Sequence, residues 1–187
     1  METRKQISGN GIRIVQLTIA TFLFGLLFAL GSCEKDEPGT PDNPGTPGTT
    51  MAAAFELKSL TGQTVKLSDF KDKVVVLFFF GNACPSCKAA APSIQTMLQG
   101  TFGSNSSFAL IGLDQWDGNA ASVESFKTAT GVTFPLLLMA SSTAKAYSTT
   151  YDRLVVVDKS GNIVFSGKQL AGSDLGAVKS KVEMLLK

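Results

Sequence analysis

One stretch, Val74 to Pro92 (VVVLFFFGNACPSCKAAAP), restricts this chain more than any other. Val74 to Phe80 are all apolar, which suits a strand buried on both of its faces. Gly81-Asn82-Ala83 leaves room for a short turn, after which Cys84-Pro85-Ser86-Cys87 opens a helix. Pro85 suits a first helical turn because its nitrogen has no N–H to leave unpaired. The pattern therefore delivers two cysteines, two residues apart, from a buried strand to a helix N-terminus.

The cysteine count sharpens this reading. The chain has 187 residues, three cysteines and no histidine. Lack of histidine excludes His-based triads and His-containing zinc or copper sites. If Cys33 is used elsewhere, Cys84 and Cys87 are the only pair left for a disulfide. The formal charge is +2, and it comes from the segment before Cys33; the remainder is neutral. Nothing in the charge favours a nucleic-acid partner.

Arg4, Lys5 and Arg13 precede the apolar run Ile14 to Leu30, the order of a signal peptide's charged and apolar regions. Leu30-Gly31-Ser32-Cys33 resembles the lipobox of bacterial lipoprotein precursors, in which the cysteine is acylated and becomes the new N-terminus. That resemblance implies a signal peptide over residues 1–32 and lipidation at Cys33. It also implies a lipid-membrane partner reached through acyl chains rather than a spanning helix. Glu34-Lys35-Asp36-Glu37 is similar to acidic signals that send some lipoproteins to the outer membrane or cell surface, and equally suits the solvated start of a linker. Pro38 to Thr50 (PGTPDNPGTPGTT) has the composition of an unfolded spacer. Residues 33–53 are thus read as a lipidated cysteine plus a flexible linker.

Residues 54–187 are read as one domain. Ala54–Leu57 and Thr64–Leu67 flank Thr61-Gly62-Gln63 as a hairpin, and Ser68-Asp69-Phe70 forms a brief helical cap. Phe108–Leu113 is a second apolar strand, and the helix holding Val123 and Phe126 stops near Gly131. Pro135 opens a strand over Leu136–Met139, and Ser141–Thr149 holds a short helix. Leu154–Val157 and Ile163–Phe165 pair around Asp158-Lys159-Ser160-Gly161-Asn162. Leu175, Val178, Val182 and Leu185 recur at helical spacing after a start signal at Gly172-Ser173-Asp174. Strands alternating with helices indicate an α/β sandwich.

The layout from Phe55 onward resembles the thioredoxin-like domain of the TlpA/ResA-type thiol–disulfide oxidoreductases. The N-terminal hairpin, the Val74–Pro92 strand, CxxC and helix, and the Asp158–Ile163 turn carry the likeness. It implies a central mixed β-sheet flanked by helices, with an N-terminal β-hairpin extension. The implied function is a membrane-anchored disulfide reductase in the bacterial envelope, facing the periplasm or exposed on the outer membrane. Its partners would be disulfide-bearing exported proteins and a membrane thiol electron donor. No cofactor beyond the cysteine pair is implied, and no metal.

The residues themselves support such chemistry. The thiolate is the reactive form of cysteine, and a free thiol with a pKa near about 8.5 is mostly protonated at neutral pH. At a helix start, Cys84 meets unpaired N–H groups and the positive end of the helix dipole, which favour the charged form. Cys87, one turn later, is expected to be more buried and to act as the resolving thiol. Pro85 and Ser86 complete the loop.

Four positions depart from the family pattern. Ala83 stands where tryptophan usually precedes the first cysteine. Ala90 and Phe78 replace acidic residues, so neither can take a proton from Cys87. Asp152 falls where a cis-proline normally faces the disulfide. If Asp152 faces the sulfurs, its charge raises the thiol pKa, or it serves as the missing base; Arg153 in that place would stabilise a thiolate. Plain surface charge is the remaining role for either. Trp116, just beyond the strand Phe108–Leu113, is a candidate to replace the missing aromatic or simply to anchor its loop.

Two other functions are compatible with the fold. A thiol peroxidase would need a PxxxTxxC pattern, but Leu77 and Gly81 occupy its proline and threonine positions. A non-catalytic binding module at the cell surface would use the scaffold without turnover.

Overall fold

The computed structural model describes residues 50–187. The signal-peptide reading, Cys33 and the linker up to residue 49 lie outside the described residues. The chain forms a six-stranded mixed sheet built around β4 (Val74–Phe80), which is buried along its whole length. On one side β4 pairs in parallel with β5 (Phe108–Asp114), which pairs in parallel with β6 (Leu136–Leu137). On the other side it pairs antiparallel with β7 (Arg153–Val157), followed by β8 (Asn162–Ser166) and the edge strand β1 (Thr50–Met51). A separate hairpin, β2 (Glu56–Lys58) and β3 (Thr64–Lys66), turns at Gly62, whose φ of 79° favours glycine.

Alternation along β4 divides the core into two layers. Val74, Val76, Phe78 and Phe80 join one apolar cluster with Cys84 and Cys87. Three helices cover that layer: α1 (Pro85–Ile94), α3 (Ala120–Thr130) and α5 (Ala171–Leu185). Phe80 stacks on Phe126 with ring centroids 4.4 Å apart. Val75, Leu77 and Phe79 face the other way, toward Phe55, Ala144 of α4 (Ser141–Ala146) and Tyr147. The Tyr147 hydroxyl donates to the Ala53 carbonyl at 2.8 Å. Burial of a large apolar side chain contributes about 1.5–3 kcal/mol, so β4 is the main apolar investment of both layers.

The helix that carries the cysteines bends for an identifiable reason. Pro92 lies inside α1 and cannot donate a backbone hydrogen bond. The helix then widens into a π turn at Gln95–Gln99 before α2 (Gly100–Phe102). Leu98 and Phe102 stay buried through the bend.

Several boundaries differ from the sequence reading; the short helix stops at Ala146 and the first hairpin strand is Glu56–Lys58. The sheet takes in Thr50–Met51, inside the stretch read as linker, through pairing with Ile163 and Asn162. The strand expected over Leu136–Met139 stops at Leu137; Met139 turns out at a φ of 57°. The last helix begins at Ala171, ahead of Gly172-Ser173-Asp174, because the Ala171 N–H is met from outside the local sequence by Asp152. Among the described residues, no helix is long and apolar enough to cross a membrane.

Candidate active site

The strand β4 ends at Phe80, and Gly81-Asn82-Ala83 carries the chain to Cys84, the N-cap of α1. Cys84 and Cys87 form a disulfide with their Cα atoms 5.3 Å apart. The Cys84 Sγ accepts the Cys87 backbone N–H at 3.1 Å, so a sulfur occupies the place of a capping oxygen. Ser86 Oγ lies 3.3 Å from the same sulfur. Pro85 is exposed at the first helical position. Cys87 is fully buried as expected, but Cys84 is only 2% exposed, so the two sulfurs differ little in accessibility.

Asp114, at the end of β5, ties the approach loops together. Its side chain is fully buried. Oδ1 accepts the Asn82 backbone N–H at 3.1 Å and Oδ2 accepts the Gly118 N–H at 2.6 Å. Asn82 Nδ2 donates to both oxygens. The turn before Cys84 and the loop after β5 are thus clamped by one carboxylate. Sequence reasoning passed over Asp114. The signal was an acid at the carboxyl end of the strand next to the cysteine-bearing one, where open α/β sheets build their sites.

Trp116 lies in the loop that Asp114 holds. Its indole packs on Gly81, where an added Cβ would sit 2.5 Å from the ring. Gly81 in turn accepts the Cys84 N–H through its carbonyl at 3.0 Å. Trp116 also meets Tyr151 edge to face, with centroids 5.1 Å apart. It is half exposed and adjoins the cysteine turn. Ala83, where an aromatic is missing, is exposed.

Asp152 and Arg153 separate cleanly. Asp152 is buried, and a carboxylate oxygen lies within 4.8 Å of both sulfurs. Its Oδ1 accepts the Ala171 N–H at 3.2 Å, at the start of α5. Its Oδ2 has no partner, and among the described residues it is the only buried side-chain nitrogen or oxygen in that state. Arg153 pairs in register with Phe79 of the other core layer, and its guanidinium donates to the Asp152 carbonyl at 2.8 Å. The Asp152 backbone takes a φ of 55°, a left-handed conformation that aspartate tolerates better than most residues. Phe78 is a core residue, and buried Ala90 allows α1 to approach α5 near Gly172. A groove of about 430 Å³ between α1 and α5 opens on Ser86, Ala89, Ala90 and Asp152.

A disulfide across the first turn of a helix, at the carboxyl end of the central strand of a thioredoxin-like sheet, defines a thiol–disulfide oxidoreductase. The sequence profile of the AhpC/TSA family matches residues 49–166, and the chain belongs to that family. It is similar to the sporulation thiol-disulfide oxidoreductase A of Bacillus subtilis (strain 168), with 26% identity over 122 residues, covering 65% of this chain and 68% of that protein. It is also similar to the solution structure of a candidate protein disulfide isomerase from Bacteroides thetaiotaomicron, at 31% identity and a TM-score of 0.66. That match covers 73% of this chain and 87% of the other. The thioredoxin domain of a thiol-disulfide oxidoreductase from Bacteroides vulgatus shares the fold, with 22% identity and a TM-score of 0.63, covering 76% of this chain and all of the other.

Proposed function

We propose that this protein is a lipid-anchored disulfide reductase of the bacterial envelope, acting on exported proteins through Cys84 and Cys87. The observation that carries the reading is the cysteine pair itself, with the Cys84 sulfur capping α1 and receiving the Cys87 N–H. A helix N-terminus favours negative charge at the capping atom, which supports Cys84 as the attacking thiolate in the reduced state.

The cycle follows from thiol–disulfide exchange. The Cys84 thiolate attacks one sulfur of a substrate disulfide, forming a mixed disulfide and releasing the first substrate thiolate. Cys87 gives up its proton and attacks the Cys84 sulfur, which breaks the mixed disulfide. The second substrate thiolate leaves and is protonated. The substrate gains two electrons, and the 84–87 bond closes. A membrane thiol donor returns two electrons to reopen it. Acylation of Cys33, supported by the Leu30–Cys33 motif, would hold the domain at the periplasmic or outer face of a membrane.

Insulin reduction with a thiol donor tests the catalytic reading. Turnover should fall to background in both Cys84→Ser and Cys87→Ser, and Cys87→Ser should trap a mixed disulfide at Cys84. Peroxide consumption that needs Cys84 alone would replace this reading with a thiol peroxidase. An 84–87 bond that no dithiol reduces would leave a binding module. Metabolic labelling with a fatty acid, lost in Cys33→Ala, tests the anchor separately.

A further inference from the structure

Asp152 combines two features that an ordinary core residue lacks: a buried oxygen without a partner, and proximity to both sulfurs. The sulfurs of Cys84 and Cys87 and one carboxylate oxygen all lie within 4.8 Å of one another, and all three residues are buried. An unsatisfied buried polar atom in a native fold calls for an explanation in redox chemistry or an ion. Oδ1 is held by the Ala171 N–H, which fixes the carboxylate where it stands.

We infer that the reduced protein holds one divalent, thiophilic metal ion of the zinc class between Cys84, Cys87 and Asp152. This rests on the reading of Cys84 and Cys87 as a reducible pair. In the disulfide form the sulfurs are bonded to each other and offer no thiolate. Reduction by a dithiol adds two electrons, breaks the S–S bond and leaves two thiols. The metal ion then displaces to solvent the protons the sulfurs still hold, that of Cys87 in every case, and forms two metal–sulfur bonds and one metal–oxygen bond.

Charge and geometry both favour this outcome. Two thiolates and a carboxylate carry three negative charges in a buried site, and a divalent cation leaves one. Zinc bonds thiolate sulfur at about 2.3 Å and carboxylate oxygen at about 2.0 Å; a tetrahedron then sets S···S near about 3.8 Å and S···O near about 3.5 Å. The S···O separation lies within the 4.8 Å that the cluster spans, and the two sulfurs move apart to the S···S separation once their bond is broken. Three protein ligands leave a fourth position, as in zinc sites that keep an exchangeable ligand. Ser86 and the groove between α1 and α5 lie beside it. No metal was expected from the sequence, where Asp152 is read as a charge or a base facing the sulfurs and not as a ligand. The site is redox-gated, because the disulfide that closes during turnover removes two of its three ligands.

The test uses the full chain carrying Cys33→Ser, so that only the pair supplies thiols. Thiol counting after treatment with a phosphine reductant comes first. Two thiols per chain establish a reducible pair; if the bond resists reduction, the catalytic reading and this inference fall together. Zn²⁺ is then titrated into reduced protein against a chromophoric chelator, and Co²⁺ is used as a spectroscopic probe. One Zn²⁺ per chain is expected, with release of at least the Cys87 proton and protection of both cysteines from alkylation. Co²⁺ should give thiolate charge-transfer and tetrahedral bands. The oxidised protein should bind neither. Asp152→Asn should weaken Zn²⁺ binding at least about tenfold, while Asp117→Asn, at a carboxylate engaged by Ser141 and outside the cluster, leaves it unchanged. Reducible thiols that fail to hold Zn²⁺ would overturn only the metal inference, as would a folded Asp152→Asn protein of unchanged affinity. If Asp152→Asn does not fold, the proton count and Co²⁺ spectrum of the parent protein decide instead: absence of either rejects the site.

Discussion

Asp114 and Asp152 are both buried aspartates beside the cysteine turn, yet the fold treats them in opposite ways. Asp114 spends both oxygens on Asn82 and Gly118 and binds two loops into one platform. Asp152 spends one oxygen on the start of α5 and leaves the other without a partner, with its carboxylate within 4.8 Å of both sulfurs. Equal burial thus conceals different work. A carboxylate with every lone pair engaged holds structure; one with a spare oxygen next to a disulfide is available to whatever the reduced sulfurs attract.

Substitutions can break that contrast. Asp114→Ala should have the largest effect, because it strands the Asn82 and Gly118 N–H groups; a loss of about 3 kcal/mol is expected in urea unfolding of the oxidised protein. A loss below about 1 kcal/mol would show that the loops hold themselves. Gly81→Ala comes next, at about 1–3 kcal/mol, because its Cβ would meet the Trp116 indole. If that contact is the cause, the penalty should largely vanish in a Trp116→Ala background, and a persisting penalty would assign it to the backbone.

Tyr147→Phe probes a satisfied polar group on the other core layer and should cost about 1 kcal/mol by stranding the Ala53 carbonyl. Burial raises the Tyr147 phenol pKa above its ordinary value. Its contribution is therefore complete below the unfolded phenol's pKa of about 10 and falls as pH rises beyond it. Stability measured from pH 8 to pH 11 should drop faster in the parent than in the variant. Asp152→Asn should change unfolding stability least, by under about 1 kcal/mol, since it keeps the Ala171 hydrogen bond and removes an uncompensated charge. A loss matching that of Asp114→Ala would erase the distinction between the two carboxylates.

Much of the scaffold was legible because local patterns agreed with tertiary burial. The unbroken run Val74–Phe80 became a fully buried strand. The helix carrying Val123 and Phe126 stopped at Gly131, where a φ of 68° favours glycine. Val178 and Val182 face the core as their spacing required. What escaped sequence reading depends on distant partners. The start of α5 moved to Ala171 because Asp152, 19 residues earlier, meets its N–H. The short β6 ends where the Leu138 N–H turns to the Lys58 carbonyl. The inward choice between Asp152 and Arg153 rested on a backbone turn at Asp152 that neighbouring residues do not announce.

The edge strand β1 has a mechanical consequence. Thr50 and Met51 pair with β8 at the end of the sheet where β4 begins, whereas the disulfide lies beyond the end where β4 finishes. Seven strand residues at about 3.3 Å each put roughly 20 Å between those poles. Tension on the chain upstream of Thr50 would be carried first by β8 and its turn, and would reach the cysteine loop last. The reactive pole is insulated from pulling at Thr50 and lies at the opposite end of β4 from it.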